Sequence, residues 1–276
     1  MKYVVCISGH LRTYEYCLTS IYLQKLLSNA DKIYIATWEY EDVIKFCNKT
    51  KKFDTCCYSY SGENKKVNID KLKILYNTKN IEIFSYPSYN TEKYICHNSI
   101  NFPTFESFLN MHYLLKQCNN MVDIDCDVVV RIRPDLFFTK PIEIQKGLIF
   151  PTAGFLNQQY SPTDTFFYGP KKEMNIVTNF FDKSDFYIPN SIIPNWHERL
   201  FLKYLNNENV NYSFQNDIRY QILRYDFLKD TLGFYDKYGN IEIVKINSLF
   251  NDKYINQLSC TEMNKKYGNN WKEMFQ

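Results

Sequence analysis

Glycine is scarce in this chain, and the glycine-rich signatures of nucleotide binding are missing. Eight of the 276 residues are glycine. The sequence contains neither the GxGxxG fingerprint of dinucleotide-binding folds nor the GxxxxGK[ST] loop that cradles a triphosphate. These absences argue against a dinucleotide-dependent enzyme and a P-loop NTPase. They also weaken the case for a nucleotidyltransferase that would consume a nucleoside triphosphate.

Long apolar runs and metal-type cysteine spacings are lacking as well. No stretch approaches the roughly 18 apolar residues that a membrane-spanning helix needs, and the first residues do not form a signal peptide. The nine cysteines form no CxxC pair, and the four histidines do not complete a zinc spacing with them. We therefore expect free thiols and a cytoplasmic protein without a transmembrane segment. Peripheral membrane attachment through the lysine-rich tail, or association with a virion, stays open.

An excess of one charge sign is also missing. The chain has 33 basic and 30 acidic residues, a formal net charge of +3. Binding to duplex nucleic acid usually depends on a concentrated basic surface, so we expect no nucleic-acid partner. Aromatic residues are abundant, with 24 Tyr and 21 Phe. This abundance fits clefts that stack on sugars or bases, and it equally fits a compositional bias of the source genome.

Strand and helix patterns alternate along the first half of the chain. Buried-strand patterns occupy residues 2–8, 32–38, 81–86 and 128–138, and helix patterns occupy 11–29, 68–77 and 104–118. Such alternation is typical of βαβ units, so we predict an α/β fold with a mostly parallel sheet flanked by helices. We expect one domain over 1–225, with a nucleotide-sugar half (1–140) and a smaller irregular acceptor half (141–225). A hairpin around 238–240 and a polar tail, together 226–276, should pack on the same domain.

The run VVVRIRPDLFF, residues 128–138, carries charges inside an apolar strand pattern. Arg131, Arg133 and Asp135 stand at every second position, which in a continuous strand places them on one face. Charges in a core strand are costly unless they are paired or bind a ligand. Two interpretations stay open: a structural ion-pair cluster, or a polyanion site in which guanidiniums meet phosphate oxygens.

Several chemically useful residues follow the predicted parallel strands directly. Ligands of such sheets bind at the carboxyl ends of the strands, which meet at one edge. Gly9 lets a ligand approach the backbone there, Arg12 could clamp a phosphate, and Trp38 could either stack on a base or simply pack. The residues predicted to contact the ligand at this edge are Ser8, Gly9, His10, Arg12, Thr37, Trp38, Arg131, Arg133 and Asp135.

The pair Asp125 and Asp127 matches a DxD pattern but precedes the strand at 128. The pair should therefore lie at the amino end of that strand, away from the ligand edge. We favour Asp135 over this pair as the functional carboxylate, because it lies at the carboxyl end. Two further acids are candidate bases. Asp164 begins a predicted strand, and Glu198 lies in the first turn of a predicted helix, where it could equally complement the helix dipole.

The order of these segments resembles a family of GT-A-type glycosyltransferases found in bacterial surface-polysaccharide loci and in large DNA viruses. The similar segments are SGHLRTY, IYIATWEYED, DVVVRIRPDLFF, DTFFYGPKKEM and HERLFLKYL, which together span about residues 1–225. The resemblance implies a Rossmann-like nucleotide half, a nucleotide-diphosphate sugar donor and a glycan or glycolipid acceptor. It also implies Mn²⁺ or Mg²⁺ on Asp135, donor contacts from Ser8, Gly9 and Arg12, an acceptor-side strand at DTFFYG and a helix at HERLFLKYL whose leading acid, Glu198, often serves as the base. Our mechanistic hypothesis keeps both Asp164 and Glu198 as candidates for the catalytic base.

The sequence departs from the family pattern at one position. Arg133 stands where a DxD motif has its first Asp, and arginines could supply part of the positive charge that a cation gives to the departing diphosphate. We expect a divalent-metal-assisted, inverting hexosyl- or deoxyhexosyl-transferase of polysaccharide biosynthesis, with retention left open. The alternative is a non-catalytic carbohydrate- or nucleotide-binding protein with a degenerate GT-A fold.

Overall fold

A computed structural model describes most of the chain. The described residues are 1–23, 25–41, 66–88, 102–138, 141–151, 155–156, 159–160, 162–187, 197–218, 220–226, 231–235 and 241–244. The strands are β1 (Tyr3–Ser8), β2 (Lys32–Trp38), β3 (Asn80–Phe84), β4 (Val128–Ile132), β5 (Leu136–Phe138), β6 (Leu148–Pro151), β7 (Phe155–Leu156), β8 (Gln159–Tyr160), β9 (Phe166–Gly169), β10 (Tyr212–Gln215), β11 (Tyr220–Asp226), β12 (Thr231–Tyr235) and β13 (Ile241–Val244). The helices are α1 (Tyr14–Leu23), α2 (Ile69–Tyr76), α3 (Phe102–Asn120), α4 (Lys171–Thr178), α5 (Phe180–Tyr187) and α6 (His197–Asn207).

A seven-stranded sheet forms the centre of the molecule, in the order β10-β6-β9-β4-β1-β2-β3. The pairs β1–β2, β1–β4, β2–β3 and β6–β10 are parallel, and β9 runs antiparallel to both β4 and β6. The inner strand β1 is buried along its whole length, as expected for a strand covered on both faces. The predicted α/β fold with a mostly parallel sheet flanked by helices is confirmed.

Each face of the central sheet has its own apolar core. On one face, Val5 and Ile7 of β1 pack with side chains of α1, α2 and β5. On the other face, Val4 and Cys6 pack with side chains of α3, α4 and α6. Successive residues of β1 therefore feed opposite layers, which follows from the two-residue period of a strand.

The predicted single strand over 128–138 is wrong, because the chain changes sheets within it. β4 ends at Ile132, and β5 begins at Leu136 as an edge of a second sheet with the order β13-β12-β11-β5. Between them the amide of Leu136 donates to the carbonyl of Arg133 at 3.4 Å, which closes a turn. Pro134 has no N–H to continue the ladder, which accounts for the break.

Helix lengths also differ from the sequence pattern in two places. The helix predicted over 11–29 is α1, which ends at Leu23, and Lys25 adopts a left-handed φ of 61° that helical backbone excludes. The sequence pattern from about 171 to 181 predicts one helix, and the structure instead has two, α4 and α5, divided around Asn179. By contrast, α2 follows its prediction closely, since Asn68 caps it by accepting from the amide of Lys71 at 3.0 Å.

The C-terminal strands belong to the second sheet. β12 pairs antiparallel with both β11 and β13, and β11 pairs antiparallel with β5. The sequence also predicts loops over 48–68 and 87–103, and of these the parts at 48–65 and 89–101 lie outside the described residues, as does the tail after 244. The domain boundaries assigned from the sequence stay predictions. None of the described helices is both long and apolar enough to cross a bilayer.

Candidate functional site

The carboxyl ends of β1, β2, β3 and β4 meet at one edge of the central sheet, because these four strands are parallel. The antiparallel strand β9 starts at the same edge, since Phe166 pairs with Ile132 at the end of β4. The connections that come together there include the β1–α1 turn, the β4–β5 turn and the segment that enters β9. This convergence is what the rule for ligand sites in parallel sheets requires.

The β1–α1 turn packs directly against the β4–β5 turn. Gly9 has a φ of +134°, which L residues rarely adopt, and a Cβ built on it would lie 3.4 Å from Cδ of Pro134. The turn is fixed to β2 as well, because the amide of Gly9 donates to the carbonyl of Ala36 at 3.3 Å. Glycine at this position thus combines an unusual backbone conformation with close packing of two site loops.

Asp135 lies between two arginines at the contact of these turns. Arg133 holds it with a fork, donating from Nε to Oδ1 at 3.0 Å and from a terminal nitrogen to Oδ2 at 2.7 Å. Arg12, whose φ of 43° is also left-handed, donates to Oδ2 at 3.4 Å. The Asp135 side chain is 1% exposed, whereas those of Arg12 and Arg133 are 21% and 17% exposed. The carboxylate is buried, and part of each guanidinium side chain reaches the surface.

Arg131 has a different environment from Arg133, although both were predicted to contact the ligand. Its side chain is fully buried, and its guanidinium donates to the carbonyls of Ser8 at 3.1 Å and Thr165 at 3.0 Å. Burial lowers the pKa of Arg131 to about 10, and the negative charge of Asp164 opposes this shift. These bonds tie the ends of β1 and β9 to β4, so Arg131 supports the site from within the sheet.

One buried polar atom of Arg131 and one of its neighbour Ser8 have no hydrogen-bond partner among the described residues. They are Oγ of Ser8 and Nε of Arg131. Buried polar atoms are almost always paired with protein or water, so such orphans are typical of sites that hold a ligand or a water molecule. Ser8, predicted to contact the donor, is itself completely buried.

The predicted residues at the end of β2 are buried too. Oγ1 of Thr37 donates to the carbonyl of Gly9 at 2.9 Å, which is a structural bond between two strands. Trp38 is 1% exposed and stacks on Tyr86 with a centroid distance of 4.2 Å and an interplanar angle of 13°. Of the two roles considered for Trp38, packing is the one that the structure supports.

Tyr86 is the aromatic residue of this edge that the sequence analysis missed. It is 39% exposed, two positions beyond the end of β3, and its hydroxyl forms a hydrogen bond of 3.0 Å with Nε2 of His10. His10 therefore lies beside an exposed aromatic ring. The sequence position of Tyr86 could have predicted its place at the site, because it lies just past a parallel strand at the edge where Trp38 ends another.

Asp164 does not begin a strand as predicted: it lies two residues before the antiparallel strand β9, at the ligand edge and partly exposed. The carbonyl of the next residue, Thr165, accepts from the backbone amide of Arg133 at 3.1 Å, so the segment that carries Asp164 lies beside the β4–β5 turn. Glu198 is the second residue of α6, and its side chain lies outside the part that the structure describes. The structure therefore brings Asp164 to the edge and leaves the role of Glu198 a prediction.

The DxD pair at 125 and 127 lies at the opposite edge, as predicted. Asp127 precedes β4, and its Oδ2 accepts from the backbone amide of Lys2 at 2.7 Å. This carboxylate caps the start of β1.

The residues at the edge do not fit the divalent cation predicted on Asp135. Both of its carboxylate oxygens already accept from guanidinium N–H groups, and the side chain is 1% exposed. In the described segments, no three His, Cys, Asp or Glu side chains lie together as a metal-binding group. Mg²⁺ and Mn²⁺ require oxygen ligands in close contact, and a dication beside two guanidiniums would be repelled. We derive no catalytic step through a metal.

Comparisons with known proteins place solved glycosyltransferases beside this chain at low similarity. The galactosyltransferase LgtC, in complex with donor and acceptor sugar analogues, is 10% identical with a TM-score of 0.38, covering 76% of this chain and 73% of LgtC. An active-site mutant of LgtC is 9% identical with a TM-score of 0.39, covering 78% and 72%. The apo form of the glycosyltransferase GlyE from Streptococcus pneumoniae TIGR4 is 10% identical with a TM-score of 0.39, covering 77% of this chain and 44% of GlyE. No family model and no curated protein matches the chain. At these values we base no inference on the likeness.

Proposed function

We propose that this protein is a glycosyltransferase that moves a sugar from a nucleotide-diphosphate donor to an acceptor hydroxyl on a glycan or glycolipid. The observation that carries the proposal is the contact of the β1–α1 and β4–β5 turns, which places two partly exposed arginines at the carboxyl edge of a mostly parallel sheet. Guanidiniums match diphosphate oxygens in charge and geometry. The order of sequence motifs, which resembles GT-A-type enzymes, favours sugar transfer over other uses of such a site.

In this proposal, Arg12 and Arg133 bind the diphosphate and neutralise the charge that builds up on it as the sugar leaves. Fixed cationic donors aimed at a developing charge are among the strongest contributions to catalysis. Tyr86, exposed above the buried Trp38, offers a flat surface on which the base or the sugar of the donor can stack. Arg131 holds the ends of β1, β4 and β9 in register beneath them.

Asp164 is our first candidate for the general base that takes the proton from the acceptor hydroxyl. It lies at the ligand edge next to Thr165, whose hydroxyl lies 2.5 Å from that of Tyr220 and 2.7 Å from that of Thr163. A single base opposite the leaving diphosphate gives inversion at the anomeric carbon, and Glu198 is the second candidate for this role. Loss of a general base costs about 10²–10⁴ in rate.

The decisive experiment is a donor screen with the full chain. Nucleotide sugars with different bases and sugars are incubated with the protein, and the released nucleoside diphosphate is measured with and without candidate glycan acceptors. We expect at least one donor to be turned over, faster with acceptor. No release from any donor, together with saturable donor binding, would favour the alternative of a carbohydrate- or nucleotide-binding protein without turnover.

The base assignment is tested with Asp164→Asn, Glu198→Gln and the control Asp125→Asn. We expect Asp164→Asn to lower kcat by about 10²–10⁴ with donor affinity unchanged. Asp125 is an exposed acid before β4, at the opposite edge, so Asp125→Asn should match the wild type. A large loss in Glu198→Gln with a normal Asp164→Asn would transfer the role to Glu198.

A further inference from the structure

Asp135 occupies the position at which the sequence predicted a metal ligand, yet its surroundings belong to an ion-pair cluster. Its two oxygens accept three N–H groups from two arginines, at 2.7, 3.0 and 3.4 Å. A forked arginine–carboxylate pair is among the strongest and most directional polar contacts in proteins. To bind a cation, Asp135 would have to give up these bonds while it remains buried, which is costly.

The same geometry gives Asp135 a second use. Its fork fixes the plane of the Arg133 guanidinium, and its contact with Arg12 brings a second guanidinium to the same carboxylate. Both arginine side chains are partly exposed, at 21% and 17%, while the carboxylate between them is 1% exposed. A ligand arriving from solvent thus meets the two cationic side chains before it meets the carboxylate.

Independent observations at the same place point to a bound ligand. Arg12, in the turn after β1, has a left-handed φ of 43°, which is costly for a residue with a side chain, and strain of this kind concentrates at ligand-binding positions. Ser8 Oγ is buried directly before this turn and has no hydrogen-bond partner within the described part of the chain. Both features lie on the loop that packs against Pro134.

We propose that this site binds the diphosphate of its donor without a divalent cation, and that Asp135 is a positioning residue that orients Arg12 and Arg133. The inference rests on the proposed function, because it concerns the same site and the same ligand class. Two guanidiniums then supply the positive charge that a cation would otherwise bring to the diphosphate.

The test uses inorganic pyrophosphate and UDP as probes, titrated calorimetrically into the full chain in EDTA and again with Mn²⁺. We expect binding in EDTA, with an affinity that Mn²⁺ leaves unchanged or weakens, because the ion neutralises part of the probe before it reaches the arginines. Binding that disappears in EDTA, or that tightens tenfold or more with Mn²⁺ in the wild type but not in Asp135→Asn, would overturn the inference.

Variants separate anion binding from a general loss of structure. Arg12→Met and Arg133→Met should each weaken binding of both probes by about tenfold or more, the expected effect of losing a charge-assisted hydrogen bond. Arg133→Lys keeps the charge but loses the fork, so its affinity should fall between those of the wild type and Arg133→Met. Lys73→Met, which removes an exposed charge paired with Asp70 on α2, is the matched control and should bind normally.

Equal affinities for Arg133→Met and wild type, with melting temperatures intact, would also overturn the inference. Its failure is distinguishable from that of the proposed function. If the probes bind in EDTA and no nucleotide sugar is turned over, the transferase proposal fails and the cation-independent site stands. If a donor is turned over only with Mn²⁺, the transferase proposal stands and this inference fails.

Discussion

The two edges of the central sheet contain the same kinds of charged residues and use them differently. At the amino edge, Asp127 accepts from the amide of Lys2 at 2.7 Å and Asp31 accepts from the amide of Tyr3 at 2.8 Å. These carboxylates satisfy backbone groups at strand starts. At the carboxyl edge, Asp135 is buried between the side chains of Arg12 and Arg133.

A charged residue at a strand end is therefore not by itself a sign of function. An acid that caps a backbone amide completes the secondary structure, and its charge stays largely in solvent. An acid buried against arginine side chains orients those cations, and its desolvation is costly unless the pairing is good. The carboxyl edge is therefore where we place function, and the amino edge is where we expect variants to change stability alone.

The largest effect should come from Arg131, the fully buried arginine of the carboxyl edge. Arg131→Ala removes the donors to the carbonyls of Ser8 and Thr165 and leaves a large hole. We expect the free energy of unfolding to fall by about 3 kcal/mol, measured by urea denaturation at pH 7. A loss no larger than that of an exposed-arginine variant would show that this guanidinium does not hold the strands together.

The next effect separates backbone strain from site geometry with two glycines. Gly9 and Gly147 have φ values of +134° and +101°, so alanine at either should cost about 2 kcal/mol. A Cβ at Gly147 has nothing within 4 Å, whereas one at Gly9 meets Pro134. We expect both variants to lose stability and only Gly9→Ala to weaken pyrophosphate binding. Equal affinities of Gly9→Ala and Gly147→Ala for pyrophosphate would contradict the assignment of ligand binding to the carboxyl edge.

A smaller effect is expected at the amino edge. Asp127→Ala removes the acceptor for the amide of Lys2, which should cost about 1 kcal/mol. Affinity for the diphosphate probes should stay within twofold of the wild type, because Asp127 precedes β4 and the site follows it. Chemical denaturation and calorimetry on the same preparation check both quantities, and a clear loss of affinity would contradict the division of roles.

The smallest change in stability at neutral pH is expected for Tyr3→Phe. The hydroxyl of Tyr3 donates to the carbonyl of Leu26 at 2.9 Å. Burial, and then the charge of Asp31, raise the pKa of Tyr3 to about 12 from an ordinary value near 10. The folded state thus favours the neutral phenol, a contribution that is complete below pH 10 and is lost as the pH rises toward 12. Tyr3→Phe should therefore lose less stability than the wild type between pH 9.5 and pH 11.5, measured by urea denaturation, and identical slopes would contradict the assignment.

Much of the central sheet was predictable because its strands carry long apolar runs between clear helix patterns. The rule for parallel sheets then identified the edge at which Gly9, Arg12 and Asp135 lie. The face shared by Arg131, Arg133 and Asp135 was not predictable from alternation, since Pro134 ends the strand and moves the chain into another sheet. Nothing local distinguishes Arg131 from Arg133; the difference arises because Arg131 lies inside the ladder and Arg133 lies in the turn after it.

Other parts of the site depend on contacts between distant segments. Asp164 reaches the ligand edge because β9 runs antiparallel to β4, a choice that the sequence of β9 does not reveal. Trp38 ends β2 and Tyr86 lies two residues past β3, and tertiary packing alone decides that the first is buried and the second exposed.

The transfer of the chain between sheets at Pro134 has a consequence for the C-terminal strands. Directly after Asp135, residues 136–138 hydrogen-bond to β11, and the hydroxyl of Tyr220 lies 2.5 Å from that of Thr165. The strands β11, β12 and β13 therefore support the β4–β5 turn from the second sheet. A protein shortened before residue 220 would keep every residue of the proposed site in its sequence and lose the support that sets their positions.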